Sequence, residues 1–263
     1  MKPRRSPTTV AVAALAAIGA LLVVLPLVGL LIRAPWSDAA HQLRSHEVRV
    51  ALRLSVFTSL CATACALVLG VPLAWVQSRT TVPGRRLLQA LTTLPLVLPP
   101  VVGGVALLLA FGRHGLVGSW LDDVLGIRLP FTTGGAVLAE TFVALPFAVL
   151  VVDAGLRGAD RRLEDAARSL GAGPGFVFWR VTLPAIRPAL LAAATLCWAR
   201  ALGEFGATVT FAGSFPGRTQ TLPLAVYVAL EHDPDAAIIL SLLLLAISVV
   251  VLVALRDRWL VRA

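Results

Sequence analysis

The sequence predicts an all-α integral membrane protein with about six transmembrane helices. Hydrophobic residues make up 58% of the 263 residues and charged residues only 14%, against about 45–50% and about 25% in soluble domains. The apolar residues are also gathered into blocks of roughly 20 residues, which is the length of helix that crosses a bilayer. Composition and block length together argue against a soluble fold.

Six apolar blocks define the predicted spans in chain order. They cover residues 10–32, 51–75, 87–112, 134–156, 185–212 and 236–255. The first block follows a basic start but has 23 residues, more than the apolar core of a secretory signal, so we interpret it as a retained helix. Pro95, Pro99 and Pro100 predict a kinked or broken third span, which a membrane tolerates where neighbours satisfy the freed carbonyls.

The basic residues predict the orientation of these spans. With the amino terminus in the cytoplasm, the inner segments carry 15 Lys and Arg and the outer segments carry 7, with Arg200 inside a block. Because Lys and Arg are retained on the cytoplasmic side, we expect both termini in the cytoplasm. The same pattern accounts for the net charge of +9, so we expect no nucleic-acid partner.

Motifs for catalysis, metals and nucleotides are missing from the sequence. Cys61, Cys65 and Cys197 lie in apolar blocks with no further Cys or His at ligand spacing, so we predict no metal site. The pattern G-x-x-x-x-G-K-[ST] does not occur, so we expect this chain neither to bind nor to hydrolyse ATP. We therefore predict a protein that is not an enzyme and has no catalytic residues.

The loop over residues 157–184 is the most informative segment. An apolar stripe with helical spacing is formed by Leu163, Ala166, Ala167 and Leu170, with polar side chains on the other side at Arg162, Glu164, Asp165 and Arg168. Gly171 stands where a helix C-cap glycine belongs, and Pro174 fits the first turn of a second short helix. Such a helix lies on the membrane surface or docks in the groove of a partner protein.

The spacing of this loop resembles the "EAA" loop of ABC-importer permeases. Asp165-Ala166-Ala167, three residues, Gly171, nine residues and Val181-Thr182-Leu183-Pro184 follow its pattern, with Asp for Glu and Val for Ile. The resemblance implies a coupling helix that sits in a cleft of an ATPase subunit. It assigns this coupling role to Glu164, Asp165, Ala166, Ala167, Leu170, Gly171, Leu183 and Pro184, with either Glu164 or Asp165 as the acidic residue.

Further segments resemble molybdate permeases in particular. Residues 94–118 are similar to their third span, and residues 199–213 and 219–227 to their fifth span and the following outer loop. The fifth-span segment is shared with sulfate/thiosulfate permeases. The resemblance covers about residues 50–255 and implies the type I ABC-importer permease fold and molybdate as substrate. Sulfate, thiosulfate and tungstate stay open as alternatives.

This resemblance also implies a domain division and a set of partners. Residues 1–50 form a first helix and outer loop, residues 51–255 the permease domain, and residues 256–263 a short cytoplasmic tail. The expected partners are two copies of an ATPase subunit that uses the ATP, a second permease copy in a homodimer, an extracytoplasmic molybdate-binding protein and membrane lipid. The expected location is the cytoplasmic membrane of a prokaryote.

Ionisable residues inside a span are costly and need an explanation. Arg200 and Glu204 are four residues apart and are expected to pair on one helix face, either as a structural pair near the inner end of the helix or beside the translocation path. We assign the path to Pro99, Pro100, Arg200, Glu204 and Thr208. Thr208 and Thr210 are expected to continue the same helix, with Gly203 and Gly206 allowing close helix approach.

Two other classes of function stay open at this stage. A proton-driven secondary carrier or a channel would need no ATPase partner, but it would leave the loop over residues 157–184 unexplained. A membrane-embedded enzyme would need paired ionisable groups or metal ligands at one depth, which only Arg200 and Glu204 approach.

Overall fold

The structure is a computed structural model that describes residues 7–80 and 83–259. All the regular secondary structure in these two ranges is helical, which confirms the predicted fold class. The elements are α1 Pro7–Arg33, α2 Trp36–Leu43, α3 His46–Arg79, α4 Arg85–Val97, α5 Pro100–Phe111, α6 Gly118–Leu125, α7 Thr133–Gly158, α8 Arg161–Ser169, α9 Pro174–Val177, a π-helical turn Phe178–Thr182, α10 Leu183–Ala185, α11 Arg187–Leu202, α12 Gly206–Ala212, α13 Leu222–His232 and α14 Pro234–Trp259.

Four of the six predicted blocks form single continuous helices. These are α1, α3, α7 and α14, and each of them is long and apolar enough to cross a membrane. α3 begins at His46, five residues before the predicted block, because the Ser45 hydroxyl accepts a hydrogen bond from the Val48 amide at 3.2 Å and caps the helix. α1 packs against α14 and leaves nearly all of its described side chains exposed, as expected for a helix in lipid or against a partner.

The other two blocks are interrupted. The third block divides into α4 and α5 at Leu98 and Pro99, where two successive prolines lack the amide hydrogens that a continuous helix needs. The fifth block divides into α11 and α12, with residues 203–205 non-helical between them. The expectation that Thr208 and Thr210 continue the helix of Arg200 is therefore wrong.

The loop over residues 157–184 joins α11 at a sharp angle. Residues 174–185 and α11 are bent by 72° at Ile186, and the two together are apolar enough to count as a fifth span. The segment from α8 to α10 thus forms a helical hairpin whose second arm leads directly into α11. Helix α8 is therefore separated from the start of α11 only by the short second arm of the hairpin.

Small residues build the centre of the helix bundle. α3, α7 and α11 each contribute a pair of fully buried small residues spaced four apart, and together they form one cluster: Ala62 and Ala66, Ala144 and Ala148, Cys197 and Ala201. Small side chains at this spacing let helix backbones approach closely, which is the usual packing mode in membranes. A Cβ atom on Gly70 would lie 2.7 Å from that of Ala148, so this glycine is required for the α3–α7 contact.

Two segments predicted as outer loops contain helices. α6 lies within the predicted loop 113–133, and α13 lies within the predicted loop 213–235. Leu222 and Leu224 of α13 are fully buried, and the Leu222 amide donates to the Ser55 hydroxyl of α3 at 2.6 Å. Because α13 is only 11 residues long, its apolar stretch is shorter than the roughly 20 residues that identify a membrane span in a sequence.

Some predictions concern residues beyond those described. Lys2, Arg4, Arg5 and Arg262 of the charge count, and residues 260–263 of the predicted tail, lie outside the described ranges. The first four residues of that tail, 256–259, continue α14 as helix.

Candidate functional site

The two helix interruptions lie against each other. A Cβ atom on Gly206, the first residue of α12, would be 2.7 Å from Cβ of Pro100, the first residue of α5. A Cβ atom on Gly104 of α5 would be 2.5 Å from Cβ of Thr210. α5 and α12 therefore pack backbone to backbone through two glycines. The predicted close approach holds for Gly206 but is wrong for Gly203, whose nearest neighbour is the carbonyl of its own helix at 3.7 Å.

One buried carboxylate joins the two parts of the fifth block. Glu204 is 1% exposed, and its Oε2 lies 2.5 Å from Arg200 Nη2 on α11. Its Oε1 accepts a hydrogen bond from the Ala207 amide in the first turn of α12 at 2.9 Å. Arg200 is thirteen residues after the first residue of α11, which is about 20 Å along the axis. The pair therefore lies at the end of α11 that is far from the loop over residues 157–184.

A second buried carboxylate lies on α7. The Thr58 hydroxyl of α3 donates to Glu140 Oε1 at 2.8 Å, and both residues are at most 1% exposed. This hydrogen bond joins the two helices that pack most extensively in the described structure. This contact could not be predicted from a local pattern, because the two residues are 82 positions apart.

The five predicted path residues gather near the interruptions without forming one open surface. Pro99 and Pro100 are exposed, Arg200 is partly exposed, and Glu204 and Thr208 are buried. The positive charge of Arg200 is compensated by Glu204, so this region contains no free cationic cage for an anion.

Gly171 ends the coupling helix as predicted. Its φ is +86°, and the carbonyls of Arg168 and Ala167 accept hydrogen bonds from the amides of Gly171 and Ala172 at 2.9 and 3.0 Å. These two bonds form a Schellman motif, which needs a left-handed residue at this position. Pro174 then begins the next helix, also as predicted.

Helix α8 exposes apolar and charged side chains alike, and Glu164 is its one buried residue. Leu163 is 56% exposed and Leu170 is 89% exposed, whereas Glu164 is buried. Of the four charged residues that the sequence places opposite the apolar stripe, Glu164 is the buried one, because its carboxylate has cationic and hydroxyl partners inside. Asp165, Ala166 and Gly171 are exposed and Ala167 is partly exposed. Helix α8 therefore presents apolar side chains outward.

The second arm of the loop continues this outward surface. Phe176 and Trp179 are 59% and 66% exposed, and Phe178 packs edge-on between Trp75 and Trp179. Leu183 is partly buried and Pro184 is exposed, at the point where the chain turns toward α11. An exposed apolar patch of this kind marks a surface for protein or membrane contact.

Three segments meet at the buried Glu164 carboxylate. Its Oε1 accepts from Arg79 Nη2 of α3 and from the Thr182 hydroxyl of the π-helical turn, both at 3.1 Å. Its Oε2 lies 3.6 Å from Arg168 Nη2. In the sequence, Arg79 contributes only to the predicted topology, since nothing local connects it with a residue 85 positions later.

An ion-pair cluster lies at the other end of the molecule. Asp122 follows α5 and lies between Arg128 Nε at 2.8 Å and Arg113 Nε at 3.3 Å. The hydrogen bond from Arg128 lowers the pKa of Asp122 below its ordinary 3.8, with further lowering by the charges of both arginines and some opposition from desolvation. This cluster joins both ends of the segment between α5 and α7.

Comparisons with known proteins agree with this architecture. The chain is 46% identical to the molybdenum transport system permease protein ModB of Mycobacterium tuberculosis over 240 residues, 91% of this chain and 90% of the relative. It is 38% identical to the sulfate transport system permease protein CysW of Synechocystis over 207 residues, 79% of this chain and 75% of the relative.

A solved structure shares the fold at low sequence identity. A chain from the crystal structure of a bacterial ABC transporter involved in the import of the acidic polysaccharide alginate superposes with a TM-score of 0.76. It covers 97% of this chain and 96% of its own, at 17% identity. Residues 66–262 also match the family described as binding-protein-dependent transport system inner membrane component. Since the match covers most of the chain, this protein belongs to that family.

Proposed function

We propose that this chain is the membrane-spanning permease subunit of an ATP-driven importer that moves molybdate across the cytoplasmic membrane of a prokaryote. Both termini face the cytoplasm in this proposal, as the 15-to-7 distribution of basic residues favours. The observation that carries the importer assignment is the set of large apolar side chains that the loop over residues 157–184 leaves exposed. The curated relatives support molybdate as the cargo.

The exposed apolar side chains of the loop are the docking surface for the ATPase subunit. We define the coupling surface as Leu163, Leu170, Phe176 and Trp179, all more than half exposed. Asp165, Ala166, Ala167, Gly171 and Pro184 lie along the same loop, exposed or partly so, and Leu183 anchors its end. An amphipathic helix that presents such anchors fits a groove on a partner. This chain hydrolyses no ATP itself, and two ATPase copies would serve two permease copies.

The translocation path in this proposal follows the facing interruptions. Pro99 and Pro100 begin one broken helix, while Arg200, Glu204 and Thr208 lie at the other. Discontinuous helices are a common way for membrane transporters to place polar groups at mid-depth. Separation of α5 from α12 at the Gly206–Pro100 contact would open the path, and their contact would close it.

A binding protein and a second permease copy complete the proposed assembly. The segments 33–50, 113–133 and 213–235 lie at the end of the spans opposite the coupling loop and would meet the external binding protein. α5 carries exposed apolar side chains that suit contact with another membrane helix: Val101, Val102, Val105 and Leu109. The 38% identity to a sulfate permease keeps sulfate as the second candidate substrate.

Uptake of labelled molybdate tests the substrate. Cells that lack this chain should take up little molybdate, and restoring the chain should return uptake that resists excess sulfate. Uptake that is restored but is suppressed by sulfate would assign the chain to a broader sulfate-type importer. Competition by tungstate, measured in the same assay, shows whether both oxyanions are carried.

Co-purification of the ATPase subunit tests the docking surface. We expect Leu163→Ser with Leu170→Ser to release the ATPase from the membrane complex, because both side chains contribute exposed apolar area. Leu116→Ser is the matched control, since Leu116 is 90% exposed but lies between α5 and α6, at the opposite end of α7. Equal loss of the ATPase in both variants would contradict the assignment.

A further inference from the structure

A buried ion pair connects the coupling helix to a membrane-spanning helix. Arg79 is the last residue of α3, and Glu164 lies in the middle of α8. Both side chains are 6% exposed, and their atoms Nη2 and Oε1 lie 3.1 Å apart. Burial removes both charges from water, so loss of either partner would weaken the compensation of the charge that remains. This arrangement makes the position of α8 strongly dependent on the end of α3.

Two additional hydrogen bonds reinforce this junction. Arg161 Nη2, in the first turn of α8, donates to the carbonyl of Ser78 on α3 at 3.2 Å. The Thr182 hydroxyl donates to the same Glu164 oxygen that Arg79 contacts. Because Thr182 ends the turn that precedes the bend into α11, one carboxylate fixes α8 to the ends of two membrane helices.

The other charged contacts of α8 have a different character. Arg168 lies 3.5 Å from Asp165, and their side chains are 53% and 70% exposed. Exposed pairs within one helix contribute little to stability and connect nothing beyond the helix. The Arg79–Glu164 pair is therefore the ion pair of α8, within the described residues, that reaches a membrane span.

α3 leads from this junction to the buried polar residues of the bundle. Thr58, which donates to Glu140 of α7, lies 21 residues before Arg79 on the same helix, about 31 Å away along the axis. α3 also has its most extensive contacts with α7 and α11. A displacement of the end of α3 at Arg79 would consequently shift the contacts of α3 with α7 and α11.

We infer that Arg79, Glu164 and Thr182 are positioning residues that transmit the movement of α8 to α3 and α11 during transport. This inference rests on the proposed function, because it takes α8 as the site where the ATPase acts. The three side chains hold the helix ends so that α8 and α3 move together. Without them, the ATPase still docks on the coupling surface but no longer drives the membrane helices.

Reconstitution in vesicles with the partner ATPase and binding protein tests this role. Molybdate uptake and ATP hydrolysis are measured on the same sample for wild type, Arg79→Gln, Glu164→Gln and the double variant. We expect co-purification of the ATPase to persist and uptake per ATP hydrolysed to fall about tenfold, within the roughly 5–150-fold typical of coupling between sites. The double variant should be no worse than either single one, because both remove the same contact.

Three further variants separate transmission from folding. Arg157→Gln is the matched control, because Arg157 pairs with Asp153 at 2.8 Å within α7 and joins no two segments. Its uptake per ATP should stay within about twofold of wild type, as surface pairs contribute little. The exchange Arg79→Glu with Glu164→Arg should recover part of the loss. Thr182→Val keeps the ion pair, and it should lower uptake per ATP while the ATPase stays bound.

The outcomes distinguish this inference from the proposed function. Wild-type complexes that show no ATP-driven molybdate uptake overturn the proposed function, and the inference with it. Wild-type uptake that is retained by Arg79→Gln and Thr182→Val overturns the inference alone. An equal loss in Arg157→Gln also overturns it, since a general charge effect would then suffice. If Arg79→Gln fails to assemble, the molybdate uptake per ATP hydrolysed by Thr182→Val decides: a lowered value supports the inference, and a wild-type value overturns it.

Discussion

Glu204 Oε2 lies 2.5 Å from Arg200 Nη2 although the two residues belong to different segments of a broken helix. Arg200 is in the last turn of α11, and Glu204 is in the non-helical connection to α12. The second carboxylate oxygen accepts from the Ala207 amide. The Glu204 side chain thus neutralises Arg200 and accepts a hydrogen bond from the first turn of α12. Specific interactions therefore stabilise the interruption between α11 and α12.

Removal of Arg200 should destabilise the permease. Arg200→Ala leaves Glu204 buried at 1% exposure without its cation, and loss of one partner of a buried pair costs about 3–5 kcal/mol. Thermal unfolding of the purified complex should show a lower midpoint for Arg200→Ala. The double variant Arg200→Ala with Glu204→Gln should recover part of the loss, because no unpaired charge remains. A midpoint equal to that of wild type would argue against a structural role for this pair.

A side chain at Gly206 should disturb the contact between the two broken helices. The Cβ of Gly206→Ala would lie 2.7 Å from Cβ of Pro100 and 3.3 Å from the Val101 amide nitrogen, and such overpacking typically costs about 1–3 kcal/mol. Gly203→Ala is the control, because its nearest neighbour is 3.7 Å away. The midpoint of thermal unfolding and the rate of molybdate uptake should both be lower for Gly206→Ala, and neither should change for Gly203→Ala. Equal effects at the two positions would exclude close helix approach as the cause.

The C-cap of the coupling helix should tolerate asparagine but not valine. Gly171 has φ +86° and no atom within 4 Å of an added Cβ, so the penalty of Gly171→Val comes from the backbone alone. A bulky residue in this conformation costs about 1–2 kcal/mol, whereas Asn adopts it readily. Uptake should fall for Gly171→Val and persist for Gly171→Asn.

Gly173 provides the comparison for this prediction. It lies in the same loop with open space around it, but its φ is −68°. Gly173→Ala should therefore leave uptake and ATPase binding unchanged. If Gly173→Ala were as harmful as Gly171→Val, general flexibility of the loop would be the explanation in place of the left-handed cap.

The ion pairs of Asp122 should make the segment between α5 and α7 sensitive to acid. Arg128 and Arg113 hold the folded-state pKa of Asp122 below 3.8, so the stabilisation is present above 3.8 and is lost as the pH falls through the folded pKa. Resistance of this segment to limited proteolysis should be greater in wild type than in Asp122→Asn at pH 7. The two proteins should become equal well below pH 3.8. A difference that does not change with pH would contradict this assignment.

Local features of the chain were accessible from the sequence for definite physical reasons. The apolar blocks follow from the length of helix that a bilayer requires, and the interruption at Pro99 follows from the missing amide hydrogens of proline. The cap at Gly171 follows from the conformational freedom of glycine. In each case the determining interaction lies within a few residues, and the structure agrees.

The interruption at residues 203–205 shows where such reasoning fails. Arg200 and Glu204 have the spacing of a helical pair, and the pair forms, but Glu204 lies beyond the helix end. The contact of Gly206 with Pro100 favours a separate α12 over a continuous helix. Because this contact joins residues about a hundred positions apart, no local pattern encodes it.

The sequence by itself determined a membrane protein with a helical coupling loop, whereas the tertiary structure decided which way that loop faces. The amphipathic pattern of α8 does not show which of its charged side chains is buried. Arg79 and Thr182 supply partners for Glu164 on the inner side, so the carboxylate is buried and the leucines are exposed. The choice depends on a charge 85 residues away, and only folding brings that charge within reach.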